Sequence, residues 1–111
     1  MMIKDFVSER KEDFKILCQN HNVKYLYAFG SSVTNKFDYE KSDIDLLVEI
    51  DEPDPLERGE KLISLWDTFE EFFHRKVDLL TEGSIRNPYL RKSIDTNKIL
   101  IYDGRGRQVL V

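Results

Sequence analysis

The stretch Asp43-Ile-Asp-Leu-Leu-Val-Glu-Ile50 constrains the fold more than any other part of the chain. Side chains of a β-strand alternate between two faces, so Ile44, Leu46, Val48 and Ile50 share one side while Asp43, Asp45, Leu47 and Glu49 share the other. The first set needs a hydrophobic cover, which predicts a strand in a sheet with one face buried under helices. On the second face Asp43 and Asp45 are two residues apart, about 7 Å between Cα atoms at the usual strand rise. Both carboxylates can therefore reach one ion. The same pair is also what an acidic protein uses to solvate the open face of a sheet, and the strand alone leaves both readings open.

The flanking segments supply the partners of this strand. Ile3, Phe6, Val7, Phe14, Leu17 and Cys18 fall on one side of a 3.6-residue wheel, predicting one amphipathic helix over residues 3–21 with Cys18 and His21 on or beside its apolar stripe. Lys24 to Phe29 reads as a short aromatic strand stopped by Gly30. After Pro53 and Pro55, the residues Leu62, Leu65, Trp66, Phe69, Phe72 and Phe73 form a second helical stripe, read as a helix packed on the sheet. Lys76 to Leu80 is a third strand, and Lys98 to Tyr102 a fourth. Between them Ser84 is the expected cap of a short helix that carries Pro88 in its first turn and then Tyr89, Leu90 and Ile94. The tail 103–111, with Gly104 and Gly106 and an apolar end, is expected to be a frayed end or a contact segment. The expectation is one α/β (α+β) domain over 1–111, with a mixed four-stranded sheet, helices on one face and a core at 24–102.

Composition narrows the function classes. With 17 basic and 21 acidic residues the net charge is −4, so the chain has no basic field for holding long nucleic acid by counterion release. A single cysteine supplies neither an internal disulfide nor a zinc cluster. Charges interrupt every apolar run of the first residues, so the expectation is a cytoplasmic protein without a membrane span.

Two further features bear on the carboxylates. In the third strand Val77 and Leu79 point to the core and Asp78 the other way, so pairing it with the second strand brings Asp78 beside Asp45. Two carboxylates about 4 Å apart repel by roughly 4 kcal/mol at an effective dielectric near 20, which a divalent cation offsets. Hard oxygen donors with room for water and phosphate suit Mg²⁺ or Mn²⁺. The other feature is Phe29-Gly30-Ser31-Ser32, directly after a strand and thirteen residues before Asp43. A glycine lets the backbone turn tightly there, and the following N–H groups with the Ser31 and Ser32 hydroxyls can cradle a phosphate.

With these residues the chain resembles the minimal nucleotidyltransferases of the DNA polymerase beta-like superfamily. The resemblance rests on Phe29-Gly30-Ser31, on Ser42-Asp43-Ile44-Asp45-Leu46-Leu47-Val48 and on Val77-Asp78-Leu79, and spans roughly residues 24 to 102. It is nearest to the small proteins paired with HEPN-domain partners, in which the nucleotidyltransferase acts as antitoxin. The resemblance implies a nucleoside triphosphate held at Gly30 and Ser31, with Ser32 beside them, and metal ions at Asp43 and Asp45. It also implies a third carboxylate, Asp78, that assists the metal site and acts near the acceptor hydroxyl. In that branch AMP passes from ATP to a tyrosine of the HEPN protein.

The sequence departs from the family at one place. The Arg-Gly pair that many relatives carry after the Gly-Ser is replaced by Ser32-Val33-Thr34-Asn35-Lys36, and Lys36 or Lys41 offers a point charge rather than a guanidinium fork. Phe37 and Tyr39 in this loop either anchor it or stack on a base. About 111 residues with net negative charge leave little surface for gripping a nucleic-acid acceptor, so a partner protein presenting a hydroxyl fits better. The rival reading is a catalytically silent module that neutralises or scaffolds a partner by contact alone. The sequence leaves a homo-oligomer open.

Overall fold

The computed structural model describes residues 3–33 and 43–111, without the Ser31 side chain. Lys36, Phe37, Tyr39, Lys41 and Ser42, with the expectations placed on them, lie outside the described residues. The elements are α1 (Ile3–Glu9), α2 (Lys11–Asn20), β1 (Val23–Phe29), a 3-10 turn at Gly30–Val33, β2 (Ile44–Ile50), α3 (Pro55–Phe73), β3 (Val77–Thr81), a 3-10 turn at Glu82–Ser84, α4 (Pro88–Asn97), β4 (Ile99–Asp103) and β5 (Gln108–Val109). They build one mixed sheet in the order β3-β2-β1-β4-β5, in which only the β2–β3 pair is parallel. A parallel pair needs a long crossover, and α3 is that crossover.

The α/β class is as expected, and several details differ. The sheet has five strands rather than four, because the tail folds back. Val109 pairs with Tyr102 and is buried, and Gln108 pairs with Asp103. An apolar end of chain beside the open edge of β4 covers that edge instead of fraying. The single helix expected over residues 3–21 is two helices. Arg10 leaves helical geometry at φ −125°, with its guanidinium over the Phe6 ring at 3.8 Å and Nη1 donating to Phe6 O. No apolar residue lies between Val7 and Phe14 to hold a straight helix against the core. Instead Phe6 and Phe14 each pack on α3, at 5.6 and 5.4 Å from the Phe72 ring.

The main core lies between α1, α2 and α3 and the face of the sheet that carries Leu26, Ala28, Ile44, Leu46, Val48, Val77, Leu79 and Ile101. α4 occupies the other face, where Ile94 packs with Phe29 and Leu47. The helices thus cover parts of both faces rather than one. Asn87, not Ser84, caps α4, accepting from the N–H groups of Tyr89 and Leu90, with Pro88 in the first turn as expected. Ser84 instead makes a reciprocal cap with Thr81 in the preceding 3-10 turn. α3 begins at Pro55, earlier than its aromatic stripe, because Asp54 accepts from Leu56 N–H and Pro55 suits the first turn. Among the described residues no helix is long and apolar enough to cross a membrane.

Candidate functional site

Asp45 sits where three strands meet. Its register partner in β1 is Phe29, the residue before Gly30, and its partner in parallel β3 is Asp78. Neighbouring strands stand about 4.8 Å apart, so Asp45 and Asp78 project side by side from the face opposite the main core. Asp43 precedes β2 on that same alternation. Its carboxylate lies 3.9 Å from Lys76 Nζ, and between the two Ile44 N–H donates to Lys76 O. That ion pair is half exposed and contributes little to stability. It does hold a cation close to the aspartates.

The start of β3 is fixed from outside the sheet. Trp66 Nε1 donates to Val77 O at 2.7 Å, and Val77 N–H donates to the Glu70 carboxylate at 3.0 Å. One turn of α3 therefore satisfies both backbone groups of the residue before Asp78, which sets the height of Asp78 against Asp45. Sequence reasoning placed Trp66 in a core stripe and gave Glu70 no role. The only signal for either was their four-residue spacing, which puts them on one side of a helix.

Gly30 closes the other side. Its φ of +64° is left-handed, and a Cβ built there would stand 2.5 Å from Asp45 Oδ2. The backbone of the turn thus lies directly against the Asp45 carboxylate, a closeness that a side chain would remove. Ser32 is fully buried, and its Oγ accepts from Asp45 N–H at 2.9 Å. The hydroxyl expected to face a phosphate thus accepts from the backbone of β2 and keeps its own O–H to donate. Ser32 fixes Asp45 through this bond. The Ser31 backbone belongs to the same turn.

The electrostatics follow from this crowding. Burial, then Asp78, then Asp43, push the Asp45 carboxyl up from 3.8 to about 6. A carboxylate held against two others loses the solvation that would stabilise its charge, and a cation restores it. Hard oxygen donors of this kind suit a divalent ion. Among the described residues no three His, Cys, Asp or Glu side chains stand close enough to enclose a metal. An ion here would be completed by water and by a ligand's own oxygens, and the convergence of three carboxylates expected from sequence is a neighbourhood rather than a closed cage. Asp43, Asp45 and Asp78 are the residues that could hold such an ion.

Other reactive side chains are placed elsewhere. The Cys18 thiol is buried, which pushes its pKa up and keeps it protonated. His21 spans Leu17 O at 2.8 Å and Ser64 Oγ at 3.0 Å, tying α2 to α3. Both fit the structural roles expected of them. Glu49 is exposed and pairs with Lys24 at 3.8 Å, away from the aspartates.

Comparison with known proteins agrees with this arrangement. The family model described as "Nucleotidyltransferase domain" matches residues 10–101. A Methanocaldococcus jannaschii protein named "Putative protein adenylyltransferase" is 42% identical over 100 residues, covering 89% of this chain and 94% of the relative. A solved structure described as a "putative minimal nucleotidyltransferase" superposes with a TM-score of 0.60 at 27% identity, covering 89% of this chain and 95% of that one. The fold also matches a chain from a complex of "tri-AMPylated Shewanella oneidensis HEPN toxin" with "MNT antitoxin", with a TM-score of 0.51 at 20% identity over 89% of this chain and 74% of that one. A strand-end glycine turn set against paired strand aspartates, together with a family match over most of its length, makes this chain a member of the nucleotidyltransferase domain family.

Proposed function

We propose that the chain is a metal-dependent protein adenylyltransferase that moves AMP from ATP to a tyrosine hydroxyl of a HEPN-type partner and so acts as its antitoxin. The observation that carries the reading is the contact between Gly30 and the Asp45 carboxylate, with Asp78 in register beside it. A glycine backbone lying against one of two register-paired carboxylates supports a site where a phosphate and a metal ion meet. The names of the relatives support protein adenylylation, and the HEPN complex with a similar chain supports the partner.

In this reading Asp43, Asp45 and Asp78 are the metal-binding and catalytic residues, and Mg²⁺ or Mn²⁺, when bound, supplies charge neutralisation on the triphosphate. The backbone N–H groups at Gly30 and Ser31 bind the β and γ phosphates, while Ser32 holds Asp45 in place. The acceptor oxygen forms a bond to the α-phosphorus as the bond to the β-phosphate oxygen breaks and pyrophosphate leaves. Asp78 accepts the hydroxyl proton.

The test incubates purified chain with labelled ATP, Mg²⁺ and a HEPN-type protein from the same organism. Label should appear on a partner tyrosine, with pyrophosphate released in step. The Asp43→Asn, Asp45→Asn double variant should lose both the label and Mg²⁺-dependent ATP binding. Partner neutralisation that persists without transfer, in wild type and double variant alike, would replace the enzymatic reading with contact inhibition.

A further inference from the structure

At the end of β1 away from Gly30, roughly 20 Å along the strand, the turn between β4 and β5 closes over the start of β1 and leaves a pocket of about 400 Å³. Gly104 makes the closure. Its N–H donates to Lys24 O at 2.7 Å, and a Cβ there would stand 2.1 Å from Val23 O, so only glycine lets the turn sit this low. Lys24, Arg105 and Arg107 line the pocket, and Asp51 is the one acid in the lining. In a chain of net charge −4, three cations against one carboxylate reverse the overall balance.

Two side chains in the lining make no hydrogen bond or ion pair among the described residues, although the Arg107 charge acts on Tyr102. Tyr102 is 1% exposed, yet among the described residues its hydroxyl makes no hydrogen bond. The hydroxyl is not sealed from water, and as part of the pocket lining it can donate to an oxygen of a ligand bound there. Burial and the neighbouring Cys18 push the phenol up, so Tyr102 stays neutral and keeps a proton to donate. Arg107 adopts a left-handed φ of 50°, which is costly for a residue with a Cβ, and makes no ion pair or hydrogen bond among the described residues. By contrast Lys24 is loosely engaged by Glu49 at 3.8 Å, and Arg105 by Asp103 at 3.5 Å.

We propose that this pocket is a second ligand site, binding the phosphate group of a small molecule through the Tyr102 hydroxyl, the Arg107 guanidinium and the Lys24 ammonium. A guanidinium fork with two further donors matches the several oxygens of a phosphate better than a single carboxylate. Gly104, Arg105 and Arg107 lie beyond the residues matched by the family model, and Lys24 lies within them. The pocket is distinct from the carboxylate site at the other end of the sheet, and it stands or falls independently of the adenylyltransferase reading.

Two sources of the phosphate are separable, inorganic pyrophosphate and the monoester of a nucleotide. The full chain, kept free of divalent cations, is titrated with pyrophosphate and with AMP by calorimetry and by amide chemical shifts. Saturable binding with Kd of about 1 mM or tighter is expected, with shifts confined to the surroundings of Asn22, Lys24, Gly104 and Arg107. The tighter of the two probes names the source. Arg107→Gln should weaken binding about tenfold and Tyr102→Phe about fivefold. Tyr102→Phe should fold normally, because the hydroxyl it removes bonds to no protein group. The proposal is overturned by an absence of saturation up to about 10 mM of either probe. It is equally overturned by unchanged affinity in both variants, by shifts centred on Gly30 and Asp45, or by succinate binding as tightly as pyrophosphate.

Discussion

Replacing Asp45 with asparagine should make the metal-free protein more stable. The carboxyl has a pKa near 3.8 in an unfolded chain and about 6 in the folded one, raised by burial and by Asp78 and Asp43. Above pH 7 the group is charged in both states, and the folded state carries the whole penalty. A shift of about two units at about 1.4 kcal/mol each gives roughly 3 kcal/mol as an upper figure, and solvent screening of a half-buried group reduces it to about 1 to 2 kcal/mol. Asparagine has nearly the same shape and no charge to desolvate, so it removes the penalty without opening a cavity. In urea at pH 8 with a chelator, the variant's midpoint should rise by about 1 M at an m-value near 1.5 kcal/mol/M.

The pH dependence tests the cause. Between about pH 4 and 6 the folded protein retains a proton on Asp45 that the unfolded chain has released, so through this group wild-type stability rises as pH falls across that window. The variant lacks this response, and the two proteins should converge near pH 4. Mg²⁺ should narrow the gap from the other side by stabilising wild type alone. An Asp45→Asn protein no more stable than wild type at pH 8, or a gap that stays constant down to pH 4, would refute the charge-crowding account.

Ser32→Ala should cost about 1 to 3 kcal/mol, read by thermal unfolding, because it removes the buried acceptor of the part-buried Asp45 N–H. Gly30→Val should fold less stably and lose Mg²⁺-ATP affinity in calorimetry, since its side chain must displace the Asp45 carboxylate. Asp78→Asn should keep much of the nucleotide affinity while transfer of labelled AMP falls at least about a hundredfold, the usual scale of a lost proton acceptor. Deleting residues 108–111 should uncover Ile101 and Tyr102 and lower the urea midpoint, which a Val109→Ala substitution should reproduce in part.

Much of the fold is legible because periodicity reports burial. The alternation in 43–50 identifies β2 and its core face, and the aromatic stripe identifies the buried side of α3, since both patterns depend only on local geometry. Where elements stop is less legible. The break at Arg10 depends on Phe6 and Phe14 each meeting α3, and the start of α4 depends on whether Asn87 or Ser84 captures the free N–H groups. Neither contest is decided within a short window. The fifth strand depends on an open edge of β4 that exists only after the sheet has formed.

The candidate site divides along the same line. Sequence by itself determined that Asp43 and Asp45 share a face, that Asp78 alternates with a core pair, and that a glycine follows β1, because strand pleat and backbone freedom are properties of the local chain. Only the tertiary structure decided that Asp78 stands in register with Asp45, that Gly30 lies against the Asp45 carboxylate, and that Ser32 accepts from the Asp45 N–H. These are distances between segments far apart in sequence. They follow from the parallel β2–β3 pairing, from the clamp of Trp66 and Glu70 on Val77, and from how low the turn after β1 sits, none of which any single segment encodes.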